Sequence, residues 1–273
     1  MPPKPERFDC GARYKGCMSI LRILSCLVAL AILAPSLARA EKPLGGAFFD
    51  SFDSFNKKRW YISDGWTNGD HQSCTWARRA LKLEKSKLVM FFLPEAGPDK
   101  TNLCAEIQTR ARYSYGTYEV RLNTPKNSGL NASFFTYIGP VHGMPHDEID
   151  IEILTKDPSK VSLNRYLSGK PMGGGEFPLP KPTTEGFQTL AFRWEPGAIT
   201  WYADGKEILK VTSGVPSAAQ KIYLSFWSTQ TLSEWMGRYK KPPGPLRYTI
   251  DWVGYTPLGE TCQFPESMLC KEP

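Results

Sequence analysis

Apolar and polar residues alternate in short runs along most of the chain. Leu81–Leu83, Lys87–Leu93, Gly116–Leu122 and Ala132–Ile138 are such runs, rich in aromatic and β-branched residues. Ile149–Leu154, Val161–Leu167, Gln188–Trp194, Ile199–Tyr202, Ile222–Trp227 and Arg247–Tyr255 continue the series, separated by Gly, Pro, Asn or Asp. A period of two over segments this short predicts strands. Asp204-Gly205, between ITWYA and KEILKV, predicts a tight hairpin, because a type I′ turn needs positive φ at its centre. No segment keeps a long 3.6-residue period. Ser233–Lys240 alone admits a helical turn, and Pro242-Pro243 ends it. The pattern predicts an all-β fold, a jelly-roll-like β-sandwich of two packed antiparallel sheets. No internal repeat or second domain is visible, and residues 257–273 read as a tail.

One stretch departs from this pattern. From Met18 the chain reads MSILRILSCLVALAILAPSLARA, with Arg22 before an apolar run and Ala38-Arg39-Ala40 as a small-x-small end. That is the layout of a secretory signal peptide, so export to the periplasm or beyond is expected. Residues 1–17 are polar, which makes Met18 a candidate start. The apolar run is short for a membrane span, and no stable membrane anchor is expected. Two parts follow: a leader, 1–40, and a single domain, 41–273.

Charge and cysteine count change meaning under this division. The whole chain has 34 Lys/Arg, 27 Asp/Glu and a net charge of +7. The leader holds six Lys/Arg and two Asp/Glu, so the remaining 233 residues carry +3. So small a surplus predicts no nucleic-acid partner. Of seven cysteines, Cys10, Cys17 and Cys26 go with the leader, leaving Cys74, Cys104, Cys262 and Cys270. An even set in an exported chain reads as disulfides. Three pairings are open; the short tail loop favours Cys262–Cys270, and with it Cys74–Cys104.

Chemistry concentrates in His146-Asp147-Glu148-Ile149-Asp150-Ile151-Glu152-Ile153-Leu154. On a strand, Glu148, Asp150 and Glu152 share one face while the isoleucines fill the core behind them. Neighbouring acids repel, and a merely solvated face would mix in Lys or Thr. Glycoside hydrolysis needs such a pair: one carboxylic acid to protonate the leaving oxygen and one carboxylate at the anomeric carbon. Retaining enzymes hold the two about 5–5.5 Å apart. Cα atoms four residues apart on a strand are roughly 13 Å apart, so the glutamates must lean together. The Asp between them can hydrogen-bond one and tune both. His142 and His146 suggest zinc only on a helix, which Gly143 and Pro145 oppose.

The chain resembles glycoside hydrolase family 16, whose signature E-[I/L]-D-x-E lies on a strand lining a concave cleft. It is most similar to bacterial endo-1,3-1,4-β-glucanases (lichenases) and to endo-glycanases that trim succinoglycan-type exopolysaccharide. The resemblance spans residues 45–256 through SDGWTNG (63–69), CTW (74–76), CAEIQTR (104–110), YGTYEVRL (115–122), SGLNASFFTYIGPVHG (128–143), DEIDIEIL (147–154), WYADG (201–205) and YTIDWVGY (248–255). The uninterrupted E-x-D-x-E is that of the lichenase-like branch; the laminarinase-like branch has an extra residue before the last Glu.

The resemblance implies Glu148 as nucleophile, Asp150 as assisting acid and Glu152 as general acid/base. It matches Cys74 and Cys104 to the lichenase disulfide. Trp66, Trp227 and Trp235 match aromatic positions along the cleft, and Asn68, Glu106 and Tyr166 are further subsite candidates. Asp251 matches a carboxylate that binds structural Ca²⁺, with backbone carbonyls near Ser51 and Ser86. No organic cofactor is implied, the partner is a polysaccharide, and a monomer is expected. Departures lie around the subsites. His146 stands where lichenases have Trp, Gln108 where they have Arg, and Ser225 and Ser228 where they have Asn. Smaller groups there suggest room for a branched or acyl-decorated chain. A lichenase, a transglycosylase and a non-catalytic carbohydrate-binding sandwich are the alternatives; the complete acid set speaks against the last.

Overall fold

The alternating runs form strands that pair, with one exception, antiparallel in two sheets. They are seen in a computed structural model that describes residues 43–271; the expected leader lies outside the described residues. One sheet runs Lys206–Val211, Ala198–Ala203, Gln188–Glu195, Gly116–Asn123, Leu246–Pro257, Leu88–Phe92 and Leu81–Leu83, with Phe48–Asp50 also on Leu246–Pro257. The second runs Lys170–Pro171, Lys160–Leu167, Asp147–Leu154, Leu130–Ile138, Lys221–Ser228, Leu103–Thr109 and Trp60–Ile62. Gly175–Pro178 pairs with Lys160–Leu167, and Thr75–Trp76 lies parallel to Leu103–Thr109.

Between the sheets lies one apolar core, which includes Phe134, Phe192, Phe226, Trp194 and Trp201. Tyr118 stacks on Phe192 with ring centroids 4.6 Å apart. Asp204 and Gly205 have φ of 46° and 79°, as the hairpin requires, and the Asp204 carboxylate accepts from Thr189 N at 2.9 Å. The expected helical turn is shorter than 233–240. It covers Ser233–Met236 and ends at Gly237, φ 80°, where a Cβ would sit 2.5 Å from Ser128 Oγ. Among the described residues no helix is long and apolar enough to cross a membrane.

The tail is fastened, not loose. A disulfide joins Cys262 and Cys270. Glu119, fully buried on the central part of the first sheet, accepts from Ser267 Oγ at 2.6 Å and Met268 N at 2.8 Å. A buried carboxylate needs such donors, so the tail satisfies the sheet as much as the sheet holds the tail.

Candidate active site

Asp147–Leu154 lies between Lys160–Leu167 and Leu130–Ile138. Ile149, Ile151 and Ile153 are sealed in the core. Their alternation puts Glu148, Asp150 and Glu152 on the opposite face. Across the ladder Glu148 faces Tyr166 and Tyr137, Asp150 faces Asn164 and Phe135, and Glu152 faces Ser162 and Ser133. From the other sheet Trp201 Nε1 donates through the core to Asp150 O at 3.0 Å, which holds the acidic strand from behind.

The three acids are not equivalent. Glu152 is pushed up to about 8, first by burial and then by the charge of Glu148; Asn131 Nδ2, donating to its Oε1 at 2.7 Å, works against the rise. Glu152 is half-buried on this face. Asp150 is raised well above the usual carboxylate range, by burial first, then by both glutamates and by its hydrogen bond to Glu148. Both shifts favour the protonated form of the group concerned. A protonated Asp150 can donate the hydrogen bond that links it to the Glu148 carboxyl group. The face thus offers an acid whose proton is held more tightly than usual, Glu152, and a second glutamate, Glu148, joined by hydrogen bond to the Asp between them. His146 Nε2 lies 2.5 Å from Glu148 Oε2, and its ring stacks on Tyr166 at 4.7 Å.

Other candidates spread along the same sheet. Glu106 shares a cross-strand row with Glu152 through Ser133 and Ser225, three strands away. Burial pushes it up to about 7, against a 2.6 Å hydrogen bond from Ser63 Oγ and the charge of Lys221. Trp227 and Trp235 sit together, centroids 6.2 Å apart, with His71 edge-on to Trp227. Trp66 is 37% exposed and packs edge-on against buried Trp76, whose Nε1 donates to Asn68 Oδ1 at 3.5 Å. The Cys74–Cys104 disulfide ties this loop to the strand carrying Glu106.

The model of glycosyl hydrolases family 16 matches residues 68–254. The chain belongs to this family. An endo-1,3-1,4-beta-glycanase, ExoK, of Rhizobium meliloti (strain 1021) is 43% identical over 229 residues, 82% of this chain and 84% of the relative. A beta-glucanase of Paenibacillus macerans is 37% identical over 235 residues, 85% of this chain and 98% of the relative. The crystal structure of a beta-1,3-1,4-glucanase (lichenase) from a mouse hindgut metagenome superimposes with TM-score 0.76 at 36% identity, covering 78% of this chain and 100% of that one. This family 16 protein is a glycoside hydrolase with the jelly-roll fold.

Several positions carry more structure than the family pattern discloses. Ser225 and Ser228 do not open space as their size suggested. Both are buried, with Ser225 Oγ 2.6 Å from Ser133 Oγ and Ser228 Oγ 2.8 Å from Ser73 Oγ. Gln108 accepts from Lys221 Nζ at 2.8 Å and Tyr223 OH at 3.3 Å. Asn131, Tyr137 and Trp201 were not singled out from the sequence, because their roles depend on cross-strand register and sheet packing. The parity of Asn131 and Ser133 on their strand was the available signal. Among the described residues no group of three His, Cys, Asp or Glu converges as for a metal, and His142 lies in a single 3-10 turn. Asp251 is engaged by Lys87 and Arg121. Ser51 Oγ donates to Asp53 at 2.6 Å, and Ser86 also bonds Asp53. A carboxylate already holding two cations does not fit Ca²⁺.

Proposed function

We propose that this hydrolase is an exported, monomeric endo-β-1,3-1,4-glycanase that retains the anomeric configuration. Glu148 attacks the anomeric carbon while Glu152 gives its proton to the departing glycosidic oxygen, leaving a glycosyl ester on Glu148. Water then attacks the same carbon, Glu152 takes a proton from it, and the Glu148 carboxylate is released. Asp150 steadies Glu148 by hydrogen bond, and no organic cofactor is needed. The observation that carries this reading is the alignment of Glu148, Asp150 and Glu152 on one face of one strand, with Asp150 hydrogen-bonded to Glu148 and Asn131 to Glu152. Trp227, Trp235, Trp66, Tyr166, Asn68 and Glu106 are assigned to sugar binding, since indole and phenol rings cover the apolar faces of pyranoses.

The proton on Glu152 sets a pH dependence. Its acid form is lost as pH rises through about 8, so kcat/KM should fall along an alkaline limb there. Asn131 favours the charged form, so Asn131→Ala should raise the Glu152 pKa and move that limb to higher pH. A limb that stays put or moves down would count against Glu152 as proton donor.

As substrate we propose an acyl-decorated bacterial exopolysaccharide of the succinoglycan type. The support is the 43% identity to a glycanase and the replacement of an indole by His146, whose ring is folded onto Tyr166 beside Glu148. Incubation with lichenan, laminarin, xyloglucan and succinoglycan, followed by sizing of the products, tests both activity and substrate. Succinoglycan should be shortened with higher kcat/KM than lichenan, and His146→Trp should raise the rate on lichenan. If the unmodified enzyme strongly prefers lichenan, the exopolysaccharide is the wrong substrate and the hydrolase assignment stands.

A further inference from the structure

Asp251 sits at an irregularity of the ladder. Against Gly116–Asn123, Ile250 pairs with Leu122 and Trp252 with Arg121, so Asp251 is the extra residue of a β-bulge. A bulge re-aims a side chain, and here the carboxylate meets two cations. Lys87 Nζ donates to Oδ1 at 2.6 Å and Arg121 Nε to Oδ2 at 3.0 Å. Each oxygen of the carboxylate is taken by a different cation.

The local backbone explains the convergence. Lys85 and Ser86 turn the Leu81–Leu83 and Leu88–Phe92 hairpin with positive φ of 51° and 55°, closed by Glu84 N donating to Lys87 O at 3.0 Å. Lys87 therefore leaves the turn next to Leu88, which pairs with Ile250, one residue before the bulge. Arg121 arrives from the opposite neighbour of the same strand. Beneath both cations lies the Phe187 ring, 5.4 Å from Lys87 Nζ and 5.7 Å from the Arg121 guanidinium carbon. Cations over an aromatic face are attracted to it, so this ring helps hold both in place. All three polar side chains are only 25–37% exposed, which weakens screening by solvent.

We infer that Lys87 and Arg121 form a built-in cation pair on Asp251, so the sandwich does not depend on Ca²⁺ at this site. Both oxygens of the Asp251 carboxylate are already engaged, each by a different cation. A divalent ion entering there would have to displace the Lys87 ammonium from the oxygen it needs. Of the expected ligands, the carboxylate is therefore taken, and the backbone carbonyls near Ser51 and Ser86 would face an ion without it.

Thermal melting of the purified protein in EDTA, and in EDTA followed by excess CaCl₂, tests this without using catalysis. The unmodified protein should melt at the same temperature in both, within about a degree. Lys87→Ala should melt several degrees lower in EDTA, and Lys87→Arg should recover most of that loss. A rise in the melting temperature of the unmodified protein on adding Ca²⁺, abolished by Asp251→Asn, would overturn the inference. So would a Lys87→Ala protein that melts in EDTA like the unmodified one. Should Lys87→Ala not fold, the comparison of EDTA and Ca²⁺ on the unmodified protein still decides.

Discussion

Glu148→Gln and Glu152→Gln should each cut turnover by several powers of ten while the protein remains folded. Losing an acid/base alone typically costs on the order of 10²–10⁴ in rate, and losing the nucleophile removes the covalent route altogether. The fold should tolerate both changes, because glutamine keeps the shape of glutamate and adds no charge to a face crowded with acids. Unchanged melting with lost activity would therefore separate chemistry from structure. A finer test uses Glu148→Ala, which leaves space beside the anomeric carbon. Azide entering that space should restore part of the rate and yield a glycosyl azide of inverted configuration. Near-normal activity in any of these variants would refute the assignment of roles.

Breaking the Cys74–Cys104 bridge should have the largest effect on stability. It joins residues 30 apart, and closing such a loop in the unfolded chain is worth roughly 3–4 kcal/mol in the chain-entropy model. For a domain of this size that corresponds to a melting temperature lower by about 10 °C. The Cys262–Cys270 bridge spans only 8 residues, so Cys262→Ser/Cys270→Ser should cost less, roughly 2–3 kcal/mol. Melting curves of the two double-serine variants give the order directly. A non-reducing peptide map that found Cys74 bonded to Cys262 would sink the pairing. Because the first bridge ties the Trp66–Asn68 loop to the strand bearing Glu106, its loss should also raise KM more than it lowers kcat.

The alternating segments were legible because their exposed and buried faces differ. Ile149, Ile151 and Ile153 mark the core so clearly that the acids between them could be assigned to one face from spacing alone. Leu103–Thr109 escaped the same reading. All seven of its residues are buried, so its alternation of Ala105, Glu106, Ile107 and Gln108 does not separate a solvated face from a core face. The short strands Phe48–Asp50 and Thr75–Trp76 escaped for another reason: two or three residues carry no period. At the site, which residues are acids was readable, but which of them holds the proton was not. That depends first on how deeply each carboxyl is buried, and next on neighbours such as Asn131 from the adjacent strand, both of them properties of the folded sheet. The serines at 225 and 228 looked like open space because only volume was visible; their hydroxyl partners come from other strands.

The position of Leu246–Pro257 has a consequence for how the chain reaches this state. The last strand in sequence lies in the middle of its sheet, between Gly116–Asn123 and Leu88–Phe92. A chain emerging from its N-terminal end cannot join the two halves of that sheet until nearly all of it is free. Glu119 and Val120, central in the finished sandwich, wait uncovered until then. Pairings this distant in sequence form slowly, because the connecting loop must be ordered before any contact rewards it. Assembly is therefore gated at its end: a chain stopped short of residue 246 would present two unpaired strand edges, a template for aggregation.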